Sequence, residues 1–357
     1  MKVMIATGGT GGHIYPATAL AQIMLEKKPE TEIVFFGSSN RMEAKVIPEM
    51  GYKFYGLEMT GTNGGLAAKM KSAVSLIKAE IRCRKILKDE KPDICMGFGN
   101  YISVPLIRAA QSAHIPTVLH EQNSFAGKAN KFLANKCDAV VTCYECNKEQ
   151  MPKANIRLLG NPQAALAAET EWDPAVLEKI GLNPDIPFAV FMMGSLGSSS
   201  VSKVIDEACP LFDHDFQVVI AAGKSNEYKF SYQSNDRIKI VDYVDGKKML
   251  KGCALAVTRA GATTMAEIAA TGAPSVLIPS PYVPNNHQYF NAMELVKQDA
   301  AAILEEKDLN AESLSAMVNS LMKDPERRKN MSERAKASGR TDAAEQIIKL
   351  LEELVHE

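Results

Sequence analysis

The sequence is poor in several things, and each shortage excludes a class of function. It has one tryptophan, Trp172, in 357 residues, and no long apolar run. No stretch approaches the roughly 20 apolar residues of a bilayer-spanning helix. The opening MKVMIATGG has one lysine and a handful of apolar residues before its glycines, too short for the core of a signal peptide. The expected location is therefore the cytosol, with any membrane contact made from the surface. Charge of one sign is missing too: 41 basic residues against 42 acidic ones leave a formal −1. No global field recruits nucleic acid, and no nucleic-acid partner is expected. The seven cysteines are odd in number and scattered through apolar runs, which argues for a reducing compartment rather than a disulfide frame. The one close pair, Cys143 and Cys146 in CYEC, has no second such pair after it. Bystander thiols outweigh zinc or redox chemistry there.

Known cofactor signatures are missing as well. GGTGGH at 8 to 13 cannot be laid on a G-x-G-x-x-G fingerprint, because its last position would be Ile14. The second strand ends in Gly37-Ser38-Ser39, without the acidic residue that would hold a cofactor ribose. No Gly-Lys-Ser/Thr follows to make a Walker loop. No DxD-like acidic pair stands at the carboxyl end of a strand, so nothing advertises a divalent metal. No cofactor is expected to be required.

What is present is alternation. Val3–Thr7 reads as a buried strand, GGTGGH as a loop, and a helix with Pro16 in its first turn runs to about Lys27. EIVFFG (32 to 37), KPDICMGFG (91 to 99), IPTVLHEQN (115 to 123), DAVVTC and IRLLGNP (156 to 162) are further strands, with helices between. An Ala-, Glu- and Pro-rich segment from Pro162 to Pro187 carries the linker at its start. The pattern then restarts: PFAVFMM (187 to 193), a Gly/Ser loop GSLGSSS (194 to 200), a helix from Val201, and the strands FQVVIAAGK, IKIVDYV, CALAVT and SVLIP. The expectation is an α/β chain of two doubly wound domains facing each other across a cleft. A last helix is expected near Asp342–Leu354.

The chain is organised around Thr258–Asn291, a βαβ unit broken at Arg259–Gly261 and stopped at Gly272 with Pro274 beyond. Its helix, opened by Thr263 and Thr264, presents unpaired N–H groups that suit phosphate or ribose oxygens. Glu267, one turn in, could accept from two ribose hydroxyls. Thr264-Met-Ala-Glu267 is equally a capping box, in which Glu267 only bonds the Thr264 N–H. His287 and Gln288 could bind a ligand or cap the helix near Tyr289. In GGTGGH the glycines let backbone approach a bulky anion, and a phosphate-bearing substrate is the better reading than a bare turn. His13, at a helix start that disfavours imidazolium, could act as a general base, donate to a phosphate, or cap the helix. GFGNY (97 to 101) is a second such loop. GSLGSSS mirrors the first, with Ser195 placed to hold a diphosphate or to open a helix. One phosphate loop per domain suggests group transfer between two phosphorylated substrates. The helix near 66 to 88 carries Leu66, Met70, Val74, Ile77 and Ile81 at helical spacing, with Lys69, Lys71, Lys78, Arg82, Arg84, Lys85 and Lys88. It reads as core-facing with a solvated basic face, or as a membrane-surface helix.

GGTGGH, GFGNY, HEQNSFAGKANK, GNP at 160 to 162, the Gly/Ser loop at 194, RAGATTMAEIAATGAP and NNHQYFNA resemble, in order and over nearly the whole chain, the MurG family. These are the UDP-N-acetylglucosamine (UDP-GlcNAc) transferases that convert lipid I to lipid II in peptidoglycan synthesis. The resemblance implies the GT-B fold: an acceptor domain over 1–161, a UDP-GlcNAc domain over 162–340, and a helix over 341–357 that crosses back to the first. It implies an inverting, metal-independent transfer of GlcNAc to the 4-hydroxyl of undecaprenyl-linked lipid I, at the cytoplasmic face of an anionic membrane. His13 is then the first candidate base and Glu121 the second, with an orienting role open to Glu121. Donor contacts fall on Asn123, Ser195, Tyr243, Val244, Ala262, Thr263, Thr264, Glu267, His287 and Gln288. Acceptor contacts fall on Thr10, Gly11, Gly12, His13, Gly97, Gly99, Asn100 and Tyr101, and the membrane patch on Met70, Val74 and Ile77. Two positions depart from the family pattern. Asn161-Pro-Gln163-Ala164-Ala165 lacks the usual arginine, and Leu196 stands where the second loop usually has glutamine; the expectation is weaker donor binding, or a compensating cation such as Lys224. The rival readings are a UDP-GlcNAc 2-epimerase and a non-catalytic nucleotide-sugar binding protein.

Overall fold

A computed structural model of the chain describes residues 1–59, 65–194, 197–223 and 227–356, with backbone alone at 66–69 and 71. Ser195, Leu196, Lys224 and most of the TGTNGG loop therefore lie outside the described residues.

The chain forms two compact units, Met1–Ala165 with Thr341–Glu357, and Leu166–Arg340. The first opens with β1 (Lys2–Ala6), α1 (Gly11–Lys27), β2 (Glu32–Ser38), α2 (Glu43–Glu49), β3 (Lys53–Leu57) and α3 (Leu66–Glu90). It continues with β4 (Ile94–Gly97), α4 (Asn100–Ser112), β5 (Thr117–Glu121), α5 (Lys128–Leu133), β6 (Ala139–Thr142), α6 (Asn147–Gln150) and β7 (Ile156–Leu158). Helix α7 (Gln163–Glu169) carries the division between the units. The second unit holds α8 (Ala175–Glu178), β8 (Phe188–Met192), α9 (Ser199–Ala208), β9 (Gln217–Ala221), β10 (Ile238–Val241), α10 (Gly246–Gly252) and β11 (Leu255–Thr258). It ends with α11 (Ala262–Thr271), β12 (Ser275–Leu277), α12 (His287–Val296), β13 (Ala302–Ile303), α13 (Ala311–Lys323) and α14 (Pro325–Ser338). The last helix, α15 (Ala343–His356), returns to the first unit. There Lys27 and Lys28 pair with Glu345 and Glu352.

Both sheets are parallel throughout, in the orders β3-β2-β1-β4-β5-β6-β7 and β10-β9-β8-β11-β12-β13. Parallel strands with helices on both faces are buried on both faces and read as continuous apolar runs. That is why Val3, Met4, Ile5 and Ala6 are all inaccessible, as are Leu255, Ala256 and Val257. Strand order reverses between β1 and β4 in one sheet and between β8 and β11 in the other. A doubly wound sheet leaves a crevice at that switch point, outside the carboxyl ends of the strands. The small-residue loops GGTGGH and GFG follow β1 and β4; GSLGSSS and RAG follow β8 and β11. Their positions follow from topology, not from local preference.

Three local readings are corrected. Helix α1 begins at Gly11, with Thr10 at its N-cap, so Pro16 lies inside the helix and not in its first turn. Helix α4 begins at Asn100, which leaves Phe98 and Gly99 as the whole loop after β4. Helix α11 begins at Ala262 behind Gly261. Its end is as expected: Gly272 caps it with φ +71°, a left-handed conformation that costs glycine nothing.

Candidate functional site

In the first unit the expected acceptor residues converge at the carboxyl ends of β1, β4 and β5. The loop after β1 turns through Gly8 and Gly9, the second at φ +87°, and delivers Thr10 and His13 to the start of α1. Thr10 Oγ1 and His13 Nδ1 are 3.0 Å apart, and Thr7 Oγ1 donates to the His13 carbonyl. Gly99 makes room for the His13 ring: a Cβ there would lie 3.3 Å from its Cδ2 and 3.4 Å from Asn130 Nδ2. Asn100, at φ +66°, donates through Nδ2 to the Gly8 carbonyl over 3.3 Å and accepts from the Tyr101 N–H. Gly97 ends β4, where a Cβ would lie 3.1 Å from Ile107, Leu119 and Ser103, so the packing around it calls for its small size.

Glu121, the second candidate base, is buried and fully engaged. Oε1 accepts from the N–H and Nδ2 of Asn123 (3.0 and 3.4 Å), and Oε2 from the Gly127 N–H (2.9 Å) and Asn130 Nδ2 (2.8 Å). Burial pushes its carboxyl above the usual range, against the pull of those four bonds. A carboxylate so occupied is a strut for the 121–130 loop. His120 beside it is inaccessible, stacked on Phe98 with ring centroids 5.0 Å apart, and bonded through Nε2 to the Gly160 carbonyl. Burial lowers its pKa to about 4, so it stays a neutral core histidine.

In the second unit the site forms around α11. Gly261 takes the N-cap position without a side-chain cap, so Thr264 is no cap and the capping-box reading of Glu267 fails. Its carboxylate is half-buried, and no hydrogen bond or ion pair reaches it among the described residues. Desolvation pushes its pKa up to about 7, with Lys247 offsetting and Asp245 adding to the shift. Tyr243 and Val244 follow the carboxyl end of β10, Tyr243 largely exposed. The hydroxyl of Thr263 is buried, with no hydrogen-bond partner among the described residues. At the start of α12 the His287 ring bonds the Pro284 carbonyl through Nδ1, and burial holds it below the usual histidine range. Gln288 Oε1 accepts from the Ser280 N–H. Asn291, fully buried, donates to the Ala260 carbonyl and ties α12 to the loop before α11. Asn123 alone among the expected donor residues belongs to the first unit.

Two residues that matter were not singled out from sequence. Arg259, nine-tenths buried, donates to Glu306 Oε1 (2.6 Å), the Ile278 carbonyl (3.1 Å) and Ser198 Oγ (2.7 Å), where α9 begins. It joins the loops after β8, β11 and β12. The usable signal was an arginine at the end of an apolar strand, since a buried charge demands partners. The other is Glu43, under the first glycine loop. The stripe on α3 faces outward: Met70, Val74, Ile77 and Ile81 are each more than half exposed, which corrects the core-facing reading.

Residues 3–142 match the glycosyltransferase family 28 N-terminal domain, and residues 188–347 its C-terminal domain. The transferase of Limosilactobacillus fermentum is 36% identical over 363 residues, spanning 99% of either chain. Among solved structures, MurG of Acinetobacter baumannii superposes with a TM-score of 0.79 at 23% identity over 99% of both chains. A UDP-N-acetylglucosamine 2-epimerase reaches 0.67 at 17% identity, over 100% of this chain and 97% of its own. These structures share the GT-B arrangement of two parallel-sheet units. Identity over the full length, set beside both domain matches, shows that the chain belongs to the MurG family, the UDP-N-acetylglucosamine–N-acetylmuramyl-(pentapeptide) pyrophosphoryl-undecaprenol N-acetylglucosamine transferases.

Proposed function

We infer that this chain moves GlcNAc from UDP-GlcNAc to the 4-hydroxyl of the muramic sugar in undecaprenyl-linked lipid I, with inversion and without a metal. The observation that carries the donor half is Glu267, a half-buried carboxylate without a partner among the described residues, one turn into a helix that starts at the switch point. A ribose diol supplies the two donors such a group lacks. The departing diphosphate is stabilised by N–H groups at the starts of α9 and α11, with His287 and Gln288 toward the sugar. The likeness to the epimerase is one of fold alone and does not carry that reaction here.

On the acceptor side, the first-turn amides of α1 take the diphosphate and His13 takes the proton of the attacking hydroxyl. That role requires the tautomer in which Nδ1–H donates to Thr10 Oγ1 and Nε2 is the basic nitrogen. Thr10 thereby positions the base, and Glu121 positions the loop that carries Asn123. The exposed apolar stripe of α3, with basic residues along the helix, supports docking on the anionic inner leaflet, peripheral at the cytoplasmic face. No helix among the described residues is long and apolar enough to cross a membrane.

The test is radiolabelled UDP-GlcNAc with a lipid I analogue, with and without chelator. Label transferred to the acceptor in both is the expected result; epimerised sugar from UDP-GlcNAc alone, or no transfer, refutes the reading. His13→Ala should lower kcat by about a hundredfold or more. A loss confined to acceptor KM makes His13 a phosphate ligand instead.

A further inference from the structure

We propose that Glu43 is a positioning residue for the glycine loop after β1, setting which of its amides are left for the acceptor's diphosphate. The proposal rests on the reading of that loop as the acceptor cradle. Glu43 is the first residue of α2, inaccessible to solvent, and its two oxygens serve two different strand ends. Oε1 accepts from the Ser38 N–H at the end of β2 (3.0 Å), and Oε2 accepts from the Gly9 N–H (2.9 Å). Two glycines provide the space it occupies. A Cβ on Gly8 would lie 2.1 Å from Oε1, and one on Gly37 would lie 2.7 Å from Cγ. From the opposite side Asn100 holds the Gly8 carbonyl, and its Nδ2 would sit 2.3 Å from a Cβ on Gly9. The loop is gripped by an acceptor on one edge and a donor on the other.

The consequence is chemical. Glycine loops bind anions by converging N–H groups, yet here the Gly9 N–H is committed to a carboxylate. An arriving diphosphate is left the amides that open α1 at Gly11 and Gly12, because the His13 and Ile14 N–H groups already bond the Thr10 carbonyl. Among the described residues no cation pairs with Glu43, so its charge rests on the two amides alone. Glu43 thus fixes the direction of the loop and confines the anion to the helix end, beside Thr10 and His13. A role in anchoring α2 only would not distinguish one substrate from the other; this role does.

The variant Glu43→Gln keeps the shape but turns an NH2 toward one of the two amides. In the two-substrate assay the KM for the lipid I analogue should rise about tenfold or more, while the KM for UDP-GlcNAc stays within about twofold. Amide exchange over residues 8–13 should lose protection in the same variant. Gly37→Ala, whose methyl presses on the Glu43 Cγ as well as on Phe54 Cε2 (2.9 Å) and the Thr7 carbonyl (3.0 Å) and leaves the carboxylate intact, should give the same split to a smaller degree. The two KM values rising in parallel, or acceptor KM unchanged while the loop amides exchange faster, overturns the proposal. If Glu43→Gln does not fold, an unaltered KM ratio in Gly37→Ala overturns it. Absence of transfer by the wild-type chain sinks the acceptor reading, while protection of the Gly9 amide in that chain still reports the Glu43 bond.

Discussion

Glu267 gives the sharpest test of the donor site, because its two protonation states should bind differently. Its pKa is pushed up to about 7, chiefly by desolvation. A ribose diol donates hydrogen bonds, which only the carboxylate can accept in full, so the donor should select the ionised form and release a proton on binding. If the protonated form does not bind, the apparent Kd for UDP-GlcNAc carries a factor of one plus ten raised to the difference of pKa and pH. That predicts roughly tenfold weaker binding at pH 6 than at pH 8. UDP-GlcNAc is the right probe, since its diphosphate diester does not itself titrate in that window. Calorimetry in two buffers of different ionisation enthalpy measures affinity and proton release together. In Glu267→Gln the pH dependence should vanish, and affinity at pH 8 should fall by about ten- to a hundredfold, the worth of hydrogen bonds to a charged group. Stability must move the other way. A carboxyl whose folded pKa is raised destabilises the fold progressively as pH climbs from its unfolded pKa toward 7. Glu267→Gln should therefore be the more stable protein at pH 8, by at most about 3 kcal/mol. A flat affinity profile in the wild type, with no proton release, refutes the assignment of the ribose to this carboxylate.

Three further predictions follow from geometry. Glu306→Ala strands the buried Arg259 charge and should lower stability by about 3–5 kcal/mol, with a raised UDP-GlcNAc KM in whatever fraction folds; a Tm unchanged within error contradicts the pairing. Replacing Val74 and Ile77 on the exposed α3 stripe by glutamate should abolish sedimentation with anionic vesicles and leave turnover of a short-chain, water-soluble acceptor intact; vesicle binding that persists removes the stripe from the membrane face. Glu90 accepts from Lys2 (2.8 Å), Lys53 (2.5 Å) and Tyr55, bonds that hold its pKa down to about 2. Its contribution is present above the unfolded pKa and lost as pH falls from about 4.5 toward 2. Solvent screening limits it to about 1 kcal/mol, so Glu90→Gln should flatten that part of the acid-unfolding curve.

Much of the fold was legible because parallel sheets write themselves as uninterrupted apolar runs, and because helix stops such as Gly272 carry their reason locally. The glycine loops were legible for the same cause, as small residues between a buried strand and a helix. What was not legible depends on partners far along the chain. Glu43 meets Gly9 across 34 positions and Arg259 meets Glu306 across 47, distances at which no spacing rule operates. For Glu267 the sequence left two readings open for a subtler reason: Thr264 stands at capping-box spacing, and only the structure shows Gly261 in the N-cap position. On α3 the period announced a stripe and could not say which way it faces. Only the packing of the opposite side, where Cys83, Ile86 and Leu87 join the core, settles that.

The two glycine-rich loops, so alike in sequence, also illustrate why a repeated pattern need not mean repeated chemistry. The loop after β1 is held through its N–H edge by a carboxylate, which subtracts a donor from any anion that approaches. The loop after β8 is held through a serine hydroxyl by Arg259, a grip on a side chain that adds a guanidinium, itself balanced by Glu306. The Arg259 guanidinium sets positive charge beside the second loop, where the Glu43 carboxylate sets an acceptor beneath the first. Group transfer places unequal demands on its two diphosphates. The donor's must accept new negative charge as its sugar leaves; the acceptor's only has to be held in place and then let go. The loop with a guanidinium beside it lies in the unit that carries Glu267, which is where the leaving group of a nucleotide sugar would need it.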